Sequence, residues 1–184
     1  MTKAFVTIAC LLSLCACSLP RIIVLNDPLD AREHNDLGVS YEARGEYDLA
    51  RREYRAAAEG DKVWARPLIN LGNVAAAQEE WATAARNYRA ALRREPRNTE
   101  AMNNLAWVLL QFGASDAAIQ WSRRVVAEAP EEPAYLDTLA EIQIDRGDEA
   151  AAAATLEQAL SLELTPEERR RCEQKRALIG TPAR

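Results

Sequence analysis

The stretch 65–98, ARPLINLGNVAAAQEEWATAARNYRAALRREPRN, decides the fold. It carries Leu71-Gly72, then Ala84, Tyr88 and Ala91, and closes on Pro96. The same spacing recurs on both sides of it. Leu37, Leu71, Leu105 and Leu139 are each 34 residues apart, and beside them stand Gly38, Gly72, Ala106 and Ala140. Further on in each unit come Ala50, Ala84, Ala118 and Ala152, then Tyr54, Tyr88, Ser122 and Leu156, then Ala57, Ala91, Val125 and Ala159. Pro96 and Pro130 end the second and third units. The register is unbroken over four units, 31–64, 65–98, 99–132 and 133–166. Self-similarity at a fixed period of this length marks a repeat architecture.

Each unit reads as two packed helices. The aromatic and alanine positions of the second helix fall at i and i+3, on one helix face. The small residues beside the leucines are expected to let the two helix backbones approach. Gly45, Gly113 and Gly147 occupy the turn between helices, as glycines at helix ends do. Pro67 falls in a first turn, where its missing N–H is tolerated. One hairpin cannot bury its apolar face alone, whereas stacked hairpins can. Ser122 weakens the third unit, and Ala150 to Ala154 leave the fourth lightly packed.

These positions resemble the signature of the tetratricopeptide repeat, W-x2-L-G-x2-Y with A-x3-F and a closing P. The resemblance implies an all-α solenoid of four antiparallel helix hairpins. His34, Leu68, Met102 and Leu136 stand at the signature tryptophan, and Lys62 and Leu164 replace the closing proline. Thr165-Pro166-Glu167-Glu168 reads as a capping box opening a charged helix over 167–180, which Gly180 stops. A polar terminal helix is what the open end of a solenoid needs.

The resemblance also implies a function. In this family the first helix of each hairpin lines a concave groove that holds a peptide or protein partner. Carried onto this chain, the groove positions include Asn35, Asn103 and Asp137, with Asp36, Asn70, Asn104 and Thr138 beside them, and then Asn73, Trp107 and Glu141. Asn70 and Asn104 look like the asparagine rungs with which some members hold an extended backbone, since an amide offers both donor and acceptor. The alternative is that they are solvated groove polars. Trp107 either anchors an apolar side chain of the partner or packs into the superhelix. The basic residues of the family's carboxylate clamp are not reproduced.

Composition narrows the other classes. The chain has 184 residues, of which 48% are apolar but only 6% aromatic, and seven are glycine. Alanine-rich chains of this kind build closely packed helices. With 23 basic and 28 acidic residues the formal charge is −5. No basic patch stands out, which argues against a nucleic-acid partner. The one histidine, His34, is expected to fill a packing position. There is no glycine-rich phosphate loop, and the histidine and Cys172 lie at opposite ends of the array. No catalytic site, metal or cofactor is therefore expected.

The first residues point to an address. Lys3 precedes the apolar run Ala4 to Leu14, too short for a bilayer span, which needs about twenty residues. A positive start, a short apolar core and then small residues form the secretory-signal pattern. Leu14-Cys15-Ala16-Cys17 resembles a bacterial lipoprotein signal over 1–16, with Cys17 as the lipidated new N-terminus; the alternative is an ordinary signal peptide with Cys17 a bystander. Stable anchoring takes more than one chain, as lipoproteins of this class carry. Ser18 leans towards the outer membrane, facing the periplasm. Residues 17–30 would be the lipidated N-terminus and tether, in which the strip Ile22 to Leu25 is oddly apolar for a linker. The sequence thus describes a membrane-anchored adaptor of the bacterial envelope, similar in plan to small lipoproteins of pilus or secretion assembly. Asn26-Asp27-Pro28-Leu29 resembles a junction that joins such repeats to papain-like peptidases. The alternative is therefore an accessory, substrate-recognising subunit of a cysteine peptidase.

Overall fold

A computed structural model describes residues 27–179. The described residues form helices without strands, in the order α1 (Ala31–Ala43), α2 (Tyr47–Gly60), α3 (Arg66–Ala77), α4 (Trp81–Arg94), α5 (Thr99–Gln111), α6 (Ser115–Glu128), α7 (Pro133–Asp145), α8 (Glu149–Leu160) and α9 (Pro166–Leu178). Each odd helix up to α7 pairs with the even helix after it, and each even helix packs on the next hairpin. The odd helices also touch one another in succession, α3 with α5, α5 with α7 and α7 with α9. The architecture is an all-α solenoid of four helix hairpins closed by a terminal helix. The stretch 1–16 read as a signal, Cys17 and the apolar strip lie outside the described residues.

Local chemistry sets where the helices start. Asp30 accepts from the backbone N–H groups of Arg32 and Glu33 at 2.7 and 2.9 Å, and Glu33 accepts from the Asp30 N–H at 2.8 Å. This capping box satisfies donors that the first turn leaves open. Thr165 and Glu168 make the same reciprocal pair at the start of α9. Pro67 sits in the first turn of α3.

The turns after α1, α5 and α7 use Gly45, Gly113 and Gly147 at φ of 73°, 77° and 76°. The second hairpin places Glu79 there, at φ 58°. A side chain in the left-handed region costs roughly 1–2 kcal/mol, and the flanking hairpin holds it there through Glu79 N–H to Ala76 O and Glu80 N–H to Ala75 O.

The glycines beside the first two leucines each make room for a tyrosine ring. A Cβ on Gly38 would lie 2.6 Å from the Tyr54 ring, and one on Gly72 would lie 2.4 Å from that of Tyr88. The space beside each of these glycines is filled by a tyrosine ring from the second helix, lying against the backbone. Tyr54 and Tyr88 are accordingly buried. In the third hairpin, where Ala106 replaces the glycine, Ser122 stands at the tyrosine's place in the repeat. Its hydroxyl is buried with no hydrogen-bond partner among the described residues. In the fourth, Leu136, Ala140, Leu156 and Ala159 pack together and receive Cys172 from α9.

Neighbouring hairpins are also tied by polar contacts. Arg94, at the end of α4, donates to the carbonyls of Ala58, Asp61 and Trp64 at 2.9, 2.8 and 2.7 Å. These carbonyls cluster where α2 ends and its following loop begins, so one guanidinium serves acceptors that the helix leaves open.

Candidate functional site: the asparagine-lined groove

The inner face of the array is built by α3, α5, α7 and α9. On it lies an open cleft of about 430 Å³, lined by Asn73 and Ala76 from α3, by Asn103, Asn104 and Trp107 from α5, and by Asp137, Thr138 and Glu141 from α7. Tyr88 reaches in from α4 and Arg171 from α9. Side chains spaced by three or four on a helix share a face, which is how Asn103, Asn104 and Trp107 meet here.

Six of the eight groove residues expected from sequence, Asn73, Asn103, Asn104, Trp107, Asp137 and Glu141, therefore come together in one place. The other two, Asn35 and Asn70, do not line it. They are 6% and 8% exposed, and Asn70 Nδ2 donates to Asn35 Oδ1 at 2.9 Å. This amide pair joins the first hairpin to the second.

A similar link crosses the next interface but leaves capacity to spare. Asn73 Oδ1 accepts from the Tyr88 hydroxyl at 2.7 Å and from Asn104 Nδ2 at 3.2 Å. Burial, reinforced by the Glu100 carboxylate, pushes the Tyr88 phenol well above its ordinary range, so it remains a donor. The Asn73 amide nitrogen and the Asn104 carbonyl oxygen have no role in these two bonds. Asn103 holds a buried carbonyl oxygen with no partner among the described residues. Donors and acceptors on adjacent helices suit a peptide unit.

Trp107 is half-buried, and its ring meets that of Trp81 edge-on, 5.7 Å between centroids at 83°. It therefore packs between α4 and α5 and also presents part of its ring to the cleft.

Two charged residues at the groove come from α9, and reading the four repeats alone misses them. Arg171 and Lys175 stand 34 residues after Asp137 and Glu141. Continuing the period by one more unit would have found both. Lys175 Nζ lies 2.9 Å from Asp137 Oδ1 and 3.0 Å from Glu141 Oε2, and donates to the Asp137 carbonyl at 3.3 Å.

The groups that could suggest catalysis are engaged elsewhere. His34 is buried at the other end, with Nδ1 2.8 Å from Glu53 Oε2 and Nε2 3.3 Å from Asp27 Oδ2. Both ring nitrogens face carboxylates, and neither faces a nucleophile. Burial opposes the charge on Glu53, but hydrogen bonds from His34 and Arg52 outweigh it and hold the carboxyl below its usual range. Cys172 is buried, which together with nearby Asp137 pushes its thiol up and away from reactivity.

The comparisons agree with this geometry. The tetratricopeptide-repeat family model matches residues 21–63 and 69–133, more than half of the chain. The chain belongs to the tetratricopeptide-repeat family. No curated protein matches it in sequence. Among solved structures it is similar to the tetratricopeptide protein TTC0263 of Thermus thermophilus, at 21% identity and TM-score 0.69, over 82% of this chain and 83% of that one. It is similar to pilF of Pseudomonas aeruginosa at 20% identity and TM-score 0.69, over 84% and 79%. It is also similar to YrrB, described as a tetratricopeptide protein with an unusual peptide-binding site, at 18% identity and TM-score 0.65, over 80% and 77%. At these identities the likeness is one of fold. The fold is that of an adaptor for protein–protein interaction.

Proposed function

We propose that this chain is a membrane-anchored adaptor of the bacterial envelope that holds an extended peptide segment of its partner in the asparagine-lined groove. One observation carries the binding part of this reading. Six polar or aromatic side chains from three successive hairpins converge on one open cleft, with amide groups left over after their mutual bonds. Amides on neighbouring helices can bond a peptide backbone whatever its sequence, and Trp107 adds an apolar contact.

The anchor rests on the sequence around Cys17, and outer-membrane placement on Ser18. A role in pilus or secretion assembly rests on the similarity of plan to small envelope lipoproteins. Fold alone does not fix such a role.

Two measurements test the reading. Crosslinked pull-down from intact cells should recover a partner with the native chain and lose it with Asn104→Ala plus Trp107→Ala, while circular dichroism shows helicity retained. Capture that survives both changes would move binding off this cleft. Cys17→Ser should shift the protein from the membrane to the soluble fraction, and an unchanged membrane fraction would rule out the lipid anchor.

A further inference from the structure

The groove's charges are distributed unevenly along the chain. At the three groove positions of each repeat that carry the asparagines, the four hairpins contribute Asp36, Asp137 and Glu141 and no basic residue. Among the described residues, the basic group lining the cleft is Arg171 of α9, with Lys175 of the same helix against Asp137 and Glu141. Lys175 is 20% exposed by its side chain and holds three oxygens of α7, while Arg171 lines the cleft beside it.

We propose that Asp137 and Glu141 form the receptor for a basic side chain of the partner peptide, and that Lys175 fills this place in the unbound chain. The inference rests on the groove reading above and names the partner's chemistry: an extended segment with a lysine or arginine beside the stretch held by Asn103 and Asn104. Two carboxylates at i and i+4 on one helix repel each other, and a cation between them relieves this. Lys175 does so on a flexible four-carbon stem, so its ammonium can swing out while α9 stays docked. The helix keeps its hold through Cys172, buried against Leu136 and Leu156, and through Arg176, which meets Glu157 at 2.7 Å. An incoming cation then exchanges one ion pair for another. Its cost is the release of an ammonium to water, which lysine tolerates well because it is strongly hydrated. An acidic peptide would meet two carboxylates and gain only Arg171.

The test uses the full-length chain and a random dodecapeptide phage library as the probe. Peptides captured by the native chain should show a lysine or arginine at one position. Lys175→Gln should bind the selected peptide about fivefold more tightly, since one competing ion pair is gone. Asp137→Asn with Glu141→Gln should erase the basic preference. Helicity is followed throughout, and if the double variant loses it, Glu141→Gln alone replaces it, because that carboxylate is already 38% exposed. Captured peptides without a basic position, or a basic position that persists without both carboxylates, would overturn the inference. The groove reading would still stand if Asn104→Ala plus Trp107→Ala abolished their capture. Failure of every form of the chain to capture peptide would sink both readings. A dimer of the native chain that Glu141→Gln dissolves would assign the groove to a second copy and overturn the inference as well.

Discussion

Glu79 stands where the other three hairpins place Gly45, Gly113 and Gly147, and it takes the same left-handed turn. Its strain is roughly 1–2 kcal/mol, whereas a glycine there would loosen the unfolded chain by ~0.5–1 kcal/mol. Glu79→Gly should therefore stabilise the protein by about 0.5 kcal/mol, the difference between those two terms. A urea titration followed by circular dichroism would show this as a higher midpoint, and a lower midpoint would mean that the Glu79 side chain makes a compensating contact. The residue scale also explains how the glycines beside the leucines work. Gly38 and Gly72 are matched to Tyr54 and Tyr88. Both residues of each glycine–tyrosine pair recur at fixed places in the sequence, but the contact behind them, ring against backbone, requires the folded hairpin.

At the scale of elements, the hairpins are joined by single side chains as well as by apolar faces. Arg94 is the clearest case, with three carbonyls from the end of the preceding hairpin. Arg94→Ala should cost about 2 kcal/mol, in the range of hydrogen bonds to charged groups. Arg94→Lys should recover only part of that, because an ammonium cannot reproduce the spread of the guanidinium. Thermal melts of the two variants would order them, and equal melting temperatures for native and Arg94→Ala chains would show that water replaces the arginine without loss. Helix α9 is the other instructive element. Its start was readable from Thr165, Pro166 and Glu168, as a cap that closes the array. Its second role, presenting Arg171 and Lys175 to the groove, follows from its place beside α7, where the first helix of a fifth hairpin would sit.

For the whole molecule, several carboxylates are held in their charged form by contacts that exist only when it is folded. Backbone N–H groups of Glu33 and Arg32 lower Asp30, and those of Val63 and Trp64 lower Asp61. Glu53 is lowered despite its burial by His34 and Arg52. A carboxyl depressed in the folded state adds stability above its unfolded pKa and loses it as pH falls through the folded value. The ordinary values are 3.8 for Asp and 4.5 for Glu. Stability should thus be little affected by these groups from neutral pH to about 5 and should fall as the pH drops below about 4. Urea midpoints measured across that range check it, and a flat response down to pH 3 would mean that these hydrogen bonds persist in the unfolded chain.

The sequence by itself determined the repeat length, the number of hairpins and the helix faces. Each depends on periodicity, and periodicity is a property of the chain read along its length. The row of groove positions came from the family resemblance, and only the tertiary structure decided which of its amides are used between hairpins and which keep hydrogen-bonding capacity towards the cleft. Asn35 and Asn70 look like their counterparts in sequence, yet they face each other across an interface and are spent there. Asn103 and Asn104 face a cleft that Tyr88 and Arg171 complete from other helices. Whether an amide is a rung for a partner or a tie between hairpins depends on what lies opposite it. In a stacked array the opposite residue comes from another repeat, and the register that brings them together exists only once the hairpins have packed.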